Sequence, residues 1–288
     1  MKVARSPQAL GGGPRAVALG TFDGMHLGHR RVIETALEAG PEPTVVTFEP
    51  HPRTALGNRV ELLTTLDRRL ELLAELGVEA ALVVEFTLEL ARLEPEEFVE
   101  EVLRPIGAEI VVAGADFRFG RGRQGDLALL SSLGFDVRPV PLLGDVSSSR
   151  IRELIREGDV AGAAKLLGRP VEVEGTVVSG DARGGTLGFP TANLDVRPDL
   201  LVPGNGIYAG AAEGHRAAVS IGMNPHYGGH ERRVEAFLLD FSGDLYGKRL
   251  VVELWQRLRD EQAFETESDL IRQIEADVEL ARQAERPA

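Results

Sequence analysis

Gly20-Thr21-Phe22-Asp23-Gly24-Met25-His26-Leu27-Gly28-His29 lies where an apolar run, Ala16 to Leu19, gives way to a helical pattern from Leu27 to Ala39. A buried strand, a glycine-rich turn and a helix, in that order, make a place for phosphate. Backbone N–H groups meet the anion at the positive end of the helix dipole. Glycine lets the backbone approach the anion, and histidine side chains can donate to it. A tight turn with one surface and one half-buried histidine would account for a lone His-x-x-His pair. It leaves Phe22-Asp23-Gly24 and Gly28, in fixed order, without a reason.

Outward from this turn, residues 16–157 alternate between strand and helix patterns. Strands are expected at Ala16–Gly20, Thr44–Phe48, Ala80–Phe86, Glu109–Ala113 and Asp136–Val140, with helices at Leu27–Ala39, Thr65–Leu76, Pro95–Leu103 and Asp126–Leu133. Leucines at helical spacing from Thr65 to Leu76 stop at Gly77, a helix-ending residue. The alternation predicts an α/β domain with a parallel sheet covered on both faces. Ligands of such sheets bind beyond the carboxyl ends of the strands, where the His26/His29 turn falls. Two short helices, Ser149–Arg156 and Val160–Leu167, follow, the second capped by Asp159. Gly168-Arg169-Pro170 stops the helical pattern, and a domain boundary is expected there, dividing 1–168 from 169–288.

Beyond the boundary the period changes to two. Val171–Val178, Ala217–Ile221, Val234–Leu239 and Arg249–Leu254 read as short strands between Gly/Pro/Asn clusters, the pattern of a small antiparallel barrel. Glu267 to Gln283 carries Leu270, Ile271, Ile274, Val278 and Leu280 at helical spacing, an amphipathic helix expected to pack on that barrel.

The composition limits the partners. The 288 residues suit two domains and carry a formal charge of −13, which argues against general nucleic-acid or anionic-membrane binding. Any polyanion must therefore be held locally, by glycine-rich loops, helix N-termini, a few arginines and a divalent metal. No apolar run reaches membrane-spanning length, the first residues lack a hydrophobic signal core, and no cysteine is present. A cytoplasmic location is the expectation.

Four more segments of the first half follow strands on the same expected edge. They are Phe48-Glu49-Pro50-His51-Pro52, Gly114-Ala115-Asp116-Phe117-Arg118-Phe119-Gly120, Gly120-Arg121-Gly122-Arg123-Gln124-Gly125-Asp126, and Val146-Ser147-Ser148-Ser149-Arg150-Ile151-Arg152. Each also has a plain structural reading. A serine run before a helix is commonly an N-cap, His51 between prolines orders a turn, and Phe117 and Phe119 fit a core. The glycine spacing 120-122-125 spells a dinucleotide fingerprint but does not directly follow a strand, so we read it as a mobile loop rather than an NAD site.

Together these segments resemble the adenylyltransferase module of bacterial bifunctional riboflavin kinase/FAD synthetases, from about Val17 to Arg152. The match includes the His-x-Gly-His motif and a Ser-Ser-Thr-x-Ile-Arg motif in which Ser149 replaces threonine. The resemblance implies a Rossmann-like nucleotidyltransferase fold in which FMN phosphate attacks the α-phosphorus of ATP. It implies catalytic His26 and His29, and ATP contacts from Gly20, Phe22, Asp23, Gly24, Gly28, Ser148 and Arg152. It places Asp116, Phe117 and Phe119 on the flavin side.

The second half contains Gly180-Asp181-Ala182-Arg183-Gly184-Gly185-Thr186-Leu187-Gly188-Phe189-Pro190-Thr191-Ala192-Asn193-Leu194 and no Walker-type Gly-Lys-Ser/Thr. In an extended segment Thr191 and Asn193 point to one side, and their oxygens suit Mg²⁺ beside phosphate. For the isolated pair, a glycine-rich barrel loop with Asn193 in a turn is the more ordinary reading. The segment resembles the Gly-Phe-Pro-Thr-Ala-Asn motif of riboflavin kinases. That likeness continues through Pro203–Ala209, Ser220–Pro225, Glu235–Gly247, Trp255–Phe264 and the final helix. It departs from the family at Gly185, usually arginine, and at Phe237, often histidine or tyrosine.

By this second resemblance the fold is a Greek-key barrel with a C-terminal helix, and Glu235 is the general base toward the riboflavin 5′-hydroxyl. Gly180, Gly184, Gly188, Pro190, Thr191 and Asn193 hold ATP, with Thr191 and Asn193 also holding Mg²⁺. Arg259, Glu261 and Phe264 line the flavin end, and Trp255 is either core or a stacking ring. The whole implies an Mg²⁺-dependent enzyme that makes FMN from riboflavin and ATP, then FAD from FMN and ATP. Its rivals are a riboflavin kinase with an inactive first module, and a non-catalytic flavin or nucleotide sensor. Small molecules are its expected partners, and its oligomeric state stays open between monomer and transient self-association.

Overall fold

All five residues of Arg15–Leu19 are buried, as a strand inside a doubly covered sheet requires. The computed structural model describes residues 1–180, 187–223 and 232–287. It divides by contacts into two units, Met1–Ser148 and Ser149–Ala288.

The first unit holds strands β1 (Lys2–Ala4), β2 (Arg15–Leu19), β3 (Thr44–Glu49), β4 (Ala80–Glu85), β5 (Ala108–Gly114) and β6 (Asp136–Val140), all parallel, in the order β1-β4-β3-β2-β5-β6. Short helices α1 (Pro7–Leu10), α3 (Pro52–Ala55), α5 (Pro95–Phe98) and α6 (Leu127–Ser132) join longer α2 (Leu27–Ala39) and α4 (Leu66–Glu75). Successive residues of β2 serve opposite faces. Val17 and Leu19 pack with Val46, Leu82, Phe98 and Val111. Ala18 packs with Val32, Ile33, Leu72 and Leu73 from α2 and α4.

The expected helix over Pro95–Leu103 is present but changes pitch, continuing from α5 as a π-helical turn over Val99–Leu103. Strand β1 and helix α1 were not expected. β1 is a three-residue edge strand with one buried side chain, Ala4, too short to show a period. After β4 the chain crosses back beside β2 to form β5. The strand order, though not the strand direction, therefore reverses between β2 and β5, the place where parallel sheets bind ligands beyond their carboxyl ends.

In the second unit, α7 (Ser148–Glu157, beginning one residue before the division) and α8 (Val160–Leu167) precede the barrel, with Asp159 capping α8 through Gly162 N at 2.8 Å. The division by contacts thus falls well before the expected boundary at 168/169, because α8 packs on strands of the barrel. The barrel strands are β7 (Val171–Val178), β8 (Ala192–Asp195), β9 (Gly206–Ala212), β10 (His215–Met223), β11 (Arg232–Leu238) and β12 (Arg249–Arg259). They close in the order β10-β11-β8-β7-β12-β9, every pair antiparallel. The connections from β8 to β9 and from β11 to β12 skip neighbours, as in a Greek key.

Val173, Val177, Leu194, Val219, Ile221, Val234, Ala236 and Val252 fill the barrel. Helix α9 (Glu267–Gln283) lies outside it, where Ala281 and the adjoining Ala284 pack on Ala209 and Trp255. Trp255 is therefore core, its Nε1 donating to Glu253 Oε2 at 2.8 Å. In strand β9, Gly-Ile-Tyr-Ala-Gly-Ala-Ala, only Ile207 and Tyr208 favour a strand by themselves, and the glycine and alanine positions are held by close approach instead. A Cβ on Gly210 would lie 1.9 Å from the Glu253 carbonyl oxygen of β12. Gly210→Ala should lower barrel stability by about 1–3 kcal/mol, read as a lower urea midpoint for the barrel amides in hydrogen exchange.

Candidate active sites

The first candidate site stands at the carboxyl end of β2. The chain leaves the strand through Phe22 (φ 54°), Gly24 (φ 83°) and Met25 (φ 46°), backbone conformations in the left-handed region. Gly24 is needed there for a second reason, since a Cβ would meet Leu63 Cδ1 at 2.6 Å. His26 is the N-cap of α2, and its Nδ1 accepts from His29 N at 3.2 Å. In the neutral ring that acceptor assigns the proton to Nε2, leaving an N–H to donate away from the helix. The two imidazoles stack with centroids 3.5 Å apart at 17°, and Phe22 meets His29 edge-on at 5.4 Å. Gly28 makes room for the stack, because a Cβ there would lie 3.2 Å from the His26 ring. Gly20 likewise lies under the Phe22 ring, where a Cβ would come within 3.0 Å of Cζ.

Other residues expected at this site have mechanical duties. Asp23 is 2% exposed, and its Oδ1 accepts from Leu63 N at 2.9 Å and Thr64 N at 3.1 Å. Thr64 Oγ1 in turn accepts from Gly24 N at 3.1 Å, so the turn is tied to residues 63–64 from two directions. Ser148 Oγ donates to the Asp23 carbonyl at 3.2 Å, fastening the residue that opens α7 to the same turn. Arg152 is buried one turn farther along α7 and belongs to the second unit. His51 caps α3 through Arg53 N at 3.2 Å.

After β5, Asp116 is exposed and Phe117 half-buried, but Phe119 is a core side chain. Phe119 packs on Phe98 at 5.6 Å and stacks on Phe117 at 6.0 Å. As a flavin platform Phe119 can act only through Phe117. The glycine-rich stretch after it is closed by backbone pairing of Phe119 with Gly125, and Gly125 packs directly on Pro95 and Phe119. It forms a single 3-10 turn, Arg121–Arg123, broken by the positive φ of Gly122, and α6 starts separately from the Asp126 cap.

The second candidate site stands on the outer face of the barrel. Alternation along β11 sends Val234 and Ala236 inward and Glu235 outward, and on β8 it sends Ala192 and Leu194 inward and Asn193 outward. Cross-strand register sets Glu235 directly opposite Asn193 and, on its other side, opposite Ser220. Glu235 Oε2 accepts from Thr191 Oγ1 at 3.3 Å, and Oε1 accepts from Arg233 Nη1 at 3.2 Å. Asn193 Nδ2 reaches Thr191 O at 3.4 Å, while its Oδ1 is buried without a hydrogen-bond partner among the described residues. Gly180 is required beneath that amide, since a Cβ would lie 2.4 Å from Nδ2. An orphaned amide oxygen beside a threonine hydroxyl and a carboxylate is a donor set that fits a hard cation. Phe237 packs edge-on against Phe189 at 5.5 Å, bracing the segment that carries Pro190 and Thr191.

Arg259 sits in the same register row, across Ile207 and Ser220 from Glu235. Its guanidinium is bound to the buried Asp277 of α9, with Nε–Oδ1 2.9 Å and Nη2–Oδ2 2.7 Å, and lies 6.0 Å from the Phe264 ring centroid. Arg259 thus docks α9 rather than offering a free charge. Glu261 Oε2 accepts from Asn205 Nδ2 at 3.1 Å, and its carboxylate covers Gly222. Gly188 has φ 91°, and among the described residues no atom lies within 4 Å of where its Cβ would stand. Gly184, with Arg183 and Gly185, lies outside the described residues. Sequence patterns did not single out Thr47, Thr64, Arg69 or Arg233, which surround or orient these groups. Each is an ordinary polar residue on a helix, strand or loop, and only tertiary contact marks it.

A family model described as riboflavin kinase matches residues 167–285, and one described as FAD synthetase matches residues 12–152. A bifunctional riboflavin kinase/FMN adenylyltransferase of Listeria monocytogenes is 38% identical, over 93% of this chain and 91% of its own. The protein of the same description from Escherichia coli K12 is 35% identical, over 98% and 97%. A crystal structure from Streptococcus pneumoniae, described as a macrolide-efflux protein, superposes with a TM-score of 0.88 at 32% identity, covering 98% of this chain and 99% of that one. The chain therefore belongs to the bifunctional riboflavin kinase/FMN adenylyltransferase family.

Proposed function

We propose that the protein makes FMN from riboflavin and ATP on its barrel, and FAD and pyrophosphate from FMN and ATP at the end of its parallel sheet. Both family models and the full-length relatives support this pair of activities over a kinase with a silent first unit or a binding-only sensor. The efflux description of the Streptococcus structure is not carried over, since neither family model concerns transport.

The observation that carries the kinase reading is the Thr191–Glu235 contact beside the orphaned Asn193 oxygen. Glu235 orients the 5′-hydroxyl of riboflavin and accepts its proton as oxygen attacks the γ-phosphorus. In a loose phosphoryl-transfer transition state the attacking hydroxyl gives up its proton late, so orientation matters more than basicity. Thr191 and Arg233 hold the two carboxylate oxygens in place for that task. Thr191 Oγ1 and Asn193 Oδ1 would hold Mg²⁺, which supplies neutralisation of charge on the β- and γ-phosphate oxygens. Gly180, Gly184, Gly188 and Pro190 give the ATP a backbone-lined approach, and Glu261 and Phe264 border the flavin end.

At the sheet, no protein nucleophile is needed. His26 Nε2–H and His29 donate to the oxygens of the α-phosphorus as FMN phosphate attacks and pyrophosphate leaves. The Ser148 hydroxyl hydrogen is committed to the Asp23 carbonyl, so Ser148 serves the ATP by fastening the turn that bears His26 and His29, and the family resemblance assigns Arg152 to the β- and γ-phosphates. Gly20, Phe22, Asp23, Gly24 and Gly28 shape the turn, and Asp116 and Phe117 face the flavin. The functional division is then 1–168 for adenylyl transfer and 169–288 for the kinase. The enzyme works in the cytoplasm on small molecules, consistent with its charge of −13.

Product analysis from riboflavin, ATP and Mg²⁺ tests the reading. His29→Ala should accumulate FMN and make little FAD. Glu235→Ala should make little FMN yet still convert supplied FMN to FAD, each affected rate falling by about 10²-fold or more. FAD from neither route in the wild type would refute the adenylyltransferase half. Chelation with EDTA should stop FMN formation and added Mg²⁺ should restore it. Asn193→Ala should raise the Mg²⁺ concentration needed for half-maximal rate by about 10-fold or more, and an unchanged requirement would remove Asn193 from the metal site.

A further inference from the structure

Arg69 of α4 is fully buried at 0% exposure, in the layer between the helix and β3. Its Nη1 donates to Thr47 Oγ1 at 3.3 Å and to the Phe48 carbonyl at 3.1 Å. Nε and Nη2 have no hydrogen-bond partner among the described residues. Nη2 lies 3.5 Å from Glu49 Oε2, an oxygen that is buried and also without a hydrogen bond. Burial pulls the guanidinium ionisation down from its usual range, and the nearby Asp23 and Glu49 carboxylates oppose that pull. A half-satisfied buried cation is a poor stabilising device. Its desolvation is unfavourable, and an apolar side chain of similar volume would fill the space without that cost.

What the cation adds is direction. The Thr47 hydroxyl has one hydrogen, and it goes to the Thr21 carbonyl at 2.9 Å. Because Arg69 occupies the oxygen of that hydroxyl as a donor, the hydroxyl hydrogen is turned toward Thr21, and the two bonds reinforce each other. Thr21 opens the turn whose next residues include Phe22, Gly24 and Met25, all at positive φ. The other side of the turn returns to α4, since Asp23 accepts from Leu63 N and Thr64 N just ahead of the helix. The links close a ring: Arg69 to Thr47, Thr47 to Thr21, along the turn to Asp23, and through residues 63–65 back to the helix bearing Arg69.

We propose that Arg69 is a positioning residue for adenylyl transfer, acting through Thr47 on the Thr21 carbonyl to fix the turn that presents His26 and His29. The inference rests on the adenylyltransferase reading above. It assigns Arg69 no contact with substrate.

The test uses the full chain, whose riboflavin kinase activity checks the second unit and enzyme concentration, while hydrogen exchange of the β2–β5 amides checks that the first unit is folded. Thr47→Val keeps shape and removes the relay hydroxyl. It should lower kcat/KM for ATP in FAD formation by between about 10-fold and 100-fold, with riboflavin phosphorylation unchanged. Arg69→Met combined with Glu49→Gln removes both charges of the half-made pair. The double variant should recover the thermal midpoint lost by Arg69→Met alone but not the rate of FAD formation. Arg69→Lys, which keeps a donor and a charge, should recover part of that rate. If Thr47→Val makes FAD at the wild-type rate, or the double variant regains rate together with stability, Arg69 is structural only and the inference is overturned. Absence of FAD in the wild type would instead refute the underlying reading.

Discussion

Filled interiors leave chemistry few places to stand, and both units are arranged around that constraint. The parallel sheet is covered on both faces by packed apolar side chains, so only the loops beyond its carboxyl ends remain open. The barrel is filled by Val219, Ile221, Val234, Ala236 and Val252, so polar groups must stand on its outer rows. Glu235 faces outward because its neighbours in sequence face inward, and register then brings Asn193 and Ser220 to its sides. Period two along the strand and antiparallel pairing between strands are enough to assemble that row.

Much of this is legible in the amino-acid order alone. The bounds of α2, α8, β6, β7 and α9 follow directly from periodicity and caps, since each is long or sharply ended by Gly, Asp or Pro signals. The His26/His29 turn is readable because a strand, a glycine turn and a helix are all local. β1 and β9 are not readable. One has three residues, and the other is mostly glycine and alanine, whose value is close approach, a property of the partner strand. Gly210 carries no pattern of its own until β12 lies against it.

The candidate residues divide in the same way. His26, His29, Thr191, Asn193 and Glu235 occur in local motifs, and the structure gathers each group around one turn or one strand row. Asp23, Ser148, Phe119 and Arg259 also occur in motifs, yet each is engaged by the scaffold: Leu63 and Thr64, the Asp23 carbonyl, Phe98, and Asp277 respectively. A motif reports that a residue type is needed at a place, without separating contact with ligand from support of the turn that makes the contact. Arg69 lies at the far end of that distinction. Helical spacing alone puts it beside Leu72 and Leu73 on the buried side of α4, where a sequence reading expects a hydrophobe.

With both activities on one chain, ATP must be cut at two different phosphorus atoms in two different places. The direct measurement follows isotopic label from ATP into flavin products during conversion of riboflavin. Label on the γ-phosphorus should enter FMN, and label on the α-phosphorus should be absent from FMN and appear in FAD. Label from the α-phosphorus found in FMN, or no label from either position in any flavin, would contradict the account.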